Sequence, residues 1–89
     1  MTQDNKPLIK FPCDFPIKAM GLNNDAFKAA VLTIANNHVK NVTESSLNYR
    51  TSKDQKYLSI TVTVTVDSQN QLDNLYRELT AHELILYVL

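Results

Sequence analysis

Tyr57-Leu58-Ser59-Ile60-Thr61-Val62-Thr63-Val64-Thr65-Val66 alternates apolar and polar residues over its whole length. A strand sends successive side chains to opposite faces, so Leu58, Ile60, Val62, Val64 and Val66 line one buried face while Ser59, Thr61, Thr63 and Thr65 line a polar one. The segment therefore belongs to a sheet covered on one side only.

What covers it follows from the flanking sequence. Downstream, Ser68 and Gln71 match a capping box, and Leu72, Leu75, Tyr76 and Leu79 recur at helical spacing, which predicts a helix over Gln69 to Ala81. Leu84 to Leu89 is apolar at nearly every position and reads as a last strand. Upstream, the polar turn Ser52 to Lys56 separates the deciding strand from Glu44 to Thr51, a weakly alternating edge strand with Leu47 and Tyr49 on one side and Asn48 and Arg50 on the other. Phe27, Ala30, Val31, Ile34 and Ala35 share one helical face, which predicts a first helix over Asp25 to His38, capped by Asn23 or Asn24 and stopped at Asn37 or Asn41. Pro12 and Pro16 exclude a helix before it, and Phe15, Ile17 and Ala19 mark a strand from about Phe15 to Met20, ended by Gly21. Residues 1–10 read as a loose tail.

The order strand, helix, strand, strand, helix, strand is that of an α+β two-layer sandwich. It fits a ferredoxin-like βαββαβ domain over residues 11–89, with a four-stranded antiparallel sheet in the order 4-1-3-2 and two helices on one face. With 89 residues and 44% hydrophobic content, the chain supports one core without staples. Nine basic and nine acidic residues balance to zero, which argues against nucleic-acid or membrane-surface binding, since both draw on an excess of clustered Lys and Arg. A lone Cys13 and no apolar run near the roughly 20 residues needed to span a bilayer point to a reducing compartment, and Met1 to Lys10 lacks the apolar core of a signal peptide.

The stretch Phe11-Pro12-Cys13-Asp14-Phe15-Pro16-Ile17-Lys18-Ala19-Met20-Gly21 resembles the Phe-Pro, Phe, Lys, Met-Gly signature of the YbeD-like family of small bacterial proteins. The similarity continues through Tyr57 to Val66, Leu75-Tyr76, Leu79 and Val88-Leu89. This resemblance implies a cytoplasmic bacterial protein with a ferredoxin-like fold, similar in shape to ACT-type regulatory domains that bind amino acids. It implies no activity and carries over no catalytic residues.

Read on their own, the residues exclude several chemistries. Cys13 has no identifiable base beside it and lies in no nucleophile signature, so it is assigned a structural or incidental role. His38 and His82 have no metal-ligand spacing and suit helix ends. The loop after the first strand lacks the arginine of an acylphosphatase-like site, and the outward side of the deciding strand lacks the stacking aromatics of an RNA-recognition motif. One glycine excludes phosphate-loop and dinucleotide fingerprints. No catalytic residue, metal or cofactor is expected.

Two places remain for binding. Gly21, Asn23 and Asn24 combine a glycine that permits close backbone approach, a helix start and two amide side chains, which suits a small carboxylate metabolite; the alternative there is an ordinary tight turn. Lys18 points to the open sheet face with Thr61 and Thr63, near Tyr87, a setting for a polar partner or small anion; the alternative there is an ordinary solvated lysine. The expected function is a non-enzymatic regulatory or interaction module that binds a partner protein or small carboxylate ligand. The alternatives are a structural homo-oligomeric subunit or a small enzyme with a cleft the sequence does not locate. The apolar residues and edge position of the last strand give the expectation of a homodimer through it, with docking of the Phe11-Pro12 segment across it as the alternative.

Overall fold

The structure is a computed structural model that describes residues 11–40 and 42–89. The tail over residues 1–10 and the stop at Asn41 lie outside the described residues. The elements run β1 (Cys13–Leu22), α1 (Asp25–His38), a single 3-10 turn (Glu44–Ser46), β2 (Leu47–Thr51), β3 (Tyr57–Val66), α2 (Gln69–Ala81) and β4 (Ile85–Val88). The sheet order is β2-β3-β1-β4, with every neighbouring pair antiparallel. This is the ferredoxin-like arrangement expected from the sequence.

β3 is the spine of the sheet because its period never breaks. Leu58, Ile60, Val62, Val64 and Val66 are all buried, and the strand pairs with β1 over ten residues, from Cys13↔Val66 to Leu22↔Tyr57. Both helices lie on that apolar side. α1 supplies Phe27, Val31, Ile34 and Ala35 to the core, and α2 supplies Leu72, Leu75 and Leu79. Asn24 caps α1, its Oδ1 accepting the Phe27 N–H at 2.8 Å; Ser68 caps α2 by accepting the Gln71 N–H at 3.1 Å. Gln71 sends the reciprocal arm of the expected capping box to Asp67 rather than to Ser68. Its Oε1 accepts from Asp67 N at 2.6 Å and its Nε2 donates to the His38 carbonyl at 2.6 Å, so it ties the start of α2 to the end of α1.

The ends of β1, β2 and β4 depart from the expected ones, and so does the way α1 stops at its expected end. β1 begins at Cys13 and runs through Gly21 to Leu22 instead of ending at Gly21. Gly21 pairs with Leu58 on one side and Ile85 on the other, so it is a strand residue and not the corner of a turn. α1 has no left-handed stop at Asn37, which lies inside the helix; Val39, extended and buried, pulls the chain into the core and ends it. β2 is shorter than expected because Glu44–Ser46 coils into the 3-10 turn, and β4 starts at Ile85.

Candidate functional site

The open face of the sheet is set by parity. Even-numbered residues of β1 and odd-numbered residues of β3 point away from the helices, and the register places them in rows across the strands. One row reads Asn48, Thr61, Lys18; the next reads Arg50, Ser59, Met20, Tyr87; Leu22 and Tyr57 form a third. Lys18 is tied to Leu89 by main-chain bonds of 3.3 and 2.8 Å, which extends the first row to the far edge.

Lys18, Asn48, Arg50, Ser59 and Thr61, together with Tyr49, line one shallow depression of about 380 Å³. Among the described residues Asp25 lies against Lys28 and Glu78 against His38, and neither Lys18 nor Arg50 has a carboxylate partner there. Asp14, the carboxylate on this side of β1, lies four residues from Lys18, about 13 Å along an extended strand, and accepts from the Thr65 hydroxyl at 2.6 Å. It does not neutralise the cation. The two cations are thus held on adjacent rows, with hydroxyl and amide donors between them.

Beside the cations the face turns apolar. Leu22, Tyr57 and Tyr87 are 45%, 36% and 49% exposed, and Met20 is half-buried between them. The Tyr87 hydroxyl reaches the Met20 sulfur at 3.7 Å, and the Lys56 ammonium lies over the Tyr57 ring at 5.4 Å from its centroid. A second depression, of about 190 Å³, is framed by Met20, Arg50, Thr51, Ser52, Tyr57 and Ser59 and links the apolar part to the arginine.

The region around Gly21 is built differently. A Cβ on Gly21 would lie 2.6 Å from Phe27 Cδ1 and 2.7 Å from the Leu84 carbonyl oxygen, so close packing accounts for the glycine. Asn24 Oδ1 is engaged in the cap, and Asn23 Nδ2 donates to the Gln55 carbonyl at 3.0 Å. The three groups do not face one another as a set of open donors. Cys13 is half-buried against the core. His38 meets Glu78 at 2.6 Å, and His82, at the end of α2, accepts the Leu84 N–H on Nδ1 at 3.1 Å. Among the described residues, no group of three His, Cys, Asp or Glu side chains is placed to hold a metal ion, and no helix is long and apolar enough to cross a membrane.

Residues 6–89 match the family model described as "Protein of unknown function (DUF493)". The chain belongs to the DUF493 family. Its relatives include the bacterial UPF0250 proteins of Janthinobacterium sp., 45% identical over 92% of this chain and 90% of that protein, and of Neisseria gonorrhoeae, 44% identical over 98% and 97%. The solution structure of protein HP0495 from H. pylori superposes with a TM-score of 0.79 at 18% identity, covering 94% of this chain and 88% of that one, and supports the fold alone.

In this DUF493 member, the structure brings Lys18 and Thr61 together as cross-strand neighbours. Thr63 lies on the same face one row further on, opposite Pro16, and Tyr87 packs by Met20 rather than by Lys18. Arg50 is the residue the sequence reading did not single out. Its signal was present in the alternation of β2, which puts Asn48 and Arg50 on the polar side; placing them beside Lys18 needs the strand order and register as well.

Proposed function

We propose that the chain is a non-enzymatic interaction module whose open sheet face docks on a partner protein presenting carboxylates beside an apolar patch. The observation that carries this reading is the continuity of Lys18 and Arg50 with Met20, Leu22, Tyr57 and Tyr87 on one solvent-facing surface. Arg, Tyr and Met are the residues enriched in protein interfaces, where aromatic and arginine anchors dominate the binding energy. A neutral chain that gathers two cations here has a local preference for anionic partners that its net charge hides. The resemblance in shape to ACT-type domains supports a regulatory effect on the bound partner, and the single half-buried Cys13 supports a cytoplasmic setting.

A second reading rests on the depression itself. Its volume of about 380 Å³ and its lining of Lys18, Arg50, Asn48, Ser59 and Thr61 suit the carboxylate of a small metabolite. One pair of experiments separates the two. Affinity capture from bacterial cells with the wild-type chain and with the folded Lys18→Glu/Arg50→Glu variant retains a stoichiometric partner only on the wild type if the first reading holds. An amide NMR titration with amino and organic acids shifts Lys18, Arg50 and Thr61 if the second holds. Capture that is unchanged by the double reversal, with no shifts on this face, contradicts both.

A further inference from the structure

We infer that the outer edge of β2 is a pairing surface for a second copy of this chain, which adds antiparallel about Tyr49 so that two four-stranded sheets become one. The main chain of β2 alternates between β3 and the open edge. Ser52 N–H donates to the Tyr57 carbonyl at 3.0 Å, and the pairs Asn48↔Thr61 and Arg50↔Ser59 fall at the same two-residue interval. Main-chain groups in an antiparallel ladder alternate between the two neighbours, so Leu47, Tyr49 and Thr51 turn theirs outward.

Those outward groups form an unusual inventory. Leu47 N–H is already used, donating to the Glu44 carbonyl within the 3-10 turn. That leaves the N–H groups of Tyr49 and Thr51 as donors and the carbonyls of Leu47, Tyr49 and Thr51 as acceptors. A two-fold axis at Tyr49 matches them. Each Tyr49 exchanges two bonds with its mate, and each Thr51 N–H meets the other copy's Leu47 carbonyl. The one donor such a pairing lacks is the one the turn has consumed; the Thr51 carbonyl is left at the solvent-facing rim.

The side chains agree with that register. Tyr49, 45% exposed, meets its own copy in a cross-strand aromatic pair, and Asn48 lies opposite Arg50, so no like charges face each other. The other side of the sheet is guarded instead. β4 has four residues and a register shift opposite Met20 and Gly21, and where β1 runs on beyond it, Pro16 has no N–H to offer. The expected dimer therefore moves from the last strand to β2.

Sedimentation equilibrium on the full chain from about 10 micromolar to about 1 millimolar, with amide hydrogen exchange at both ends of that range, tests this. The expected result is a dimer at the upper end with the Tyr49 and Thr51 amides protected only there. Thr51→Pro, which removes an outward donor and leaves the β3 bonds in place, should weaken association at least tenfold, whereas Tyr49→Phe retains it. A monomer throughout, or a dimer whose Tyr49 and Thr51 amides exchange as freely as in the dilute protein, overturns the proposal. If Thr51→Pro does not fold, the exchange pattern of the wild type decides alone.

Discussion

Gly21 and Phe27 are built against each other: a single methyl group on Gly21 would sit 2.6 Å from the Phe27 ring, with the Leu84 carbonyl oxygen as near on another side. β1, α1 and the approach to β4 meet at this point, which is why a residue inside a ten-residue strand has no side chain.

Gly21→Ala should therefore destabilise the domain by about 1–3 kcal/mol, toward the upper end because a main-chain oxygen yields less readily than a ring. Urea unfolding followed by circular dichroism measures it. A neutral substitution would mean that the strand–helix packing is looser than described.

The two faces of β3 should respond in opposite ways. Val62 is 1% exposed beneath the helices, so Val62→Asp buries an unpaired charge and unfolds the domain; Thr63→Asp, on the open face, should cost about 1 kcal/mol or less. Thermal unfolding of the two variants gives the contrast, and equal losses would contradict the register.

β3 and both helices were legible in the sequence because each carries an unbroken period of its own: five apolar residues at every second position in β3, and apolar stripes behind Asn24 and Ser68 caps in the helices. The end of β1 was not. A glycine required by close packing and a glycine required by a turn are the same letter, and only the approach of Phe27 and Leu84, from elsewhere in the chain, tells them apart. The open face was half legible. Lys18 and the threonines follow from alternation, but Arg50 joins Lys18 only through the order β2-β3-β1 and a register that places Ser59 and Thr61 between them.

The β2–β3 turn offers a gain in stability. Gln55 has φ 61°, a left-handed conformation that favours glycine, so Gln55→Gly should raise stability by about 1 kcal/mol in urea unfolding. The same turn has a pH signature. Asp54 accepts from Ser52 Oγ at 2.7 Å and Lys56 N at 3.1 Å, and these bonds, the Ser52 one foremost, hold its carboxyl below the ordinary range. Its contribution is complete above that range and is lost as pH falls through the lowered value. Asp54→Asn should flatten the acid limb of the stability profile; an unchanged acid limb would remove this carboxylate from the account.

The central claim is that the open face of the sheet is where this DUF493 member meets its partner, and site-specific photo-crosslinking in living bacterial cells tests it most directly. A photoreactive phenylalanine analogue at Tyr57 or Tyr87 on that face, and at Arg77 on the exposed side of α2, reports what each surface touches. The account predicts one reproducible adduct from Tyr57 and Tyr87, lost when Lys18→Glu/Arg50→Glu is added, and none from Arg77. Adducts from Arg77 alone, or adducts at Tyr57 and Tyr87 that survive the double charge reversal, would contradict it.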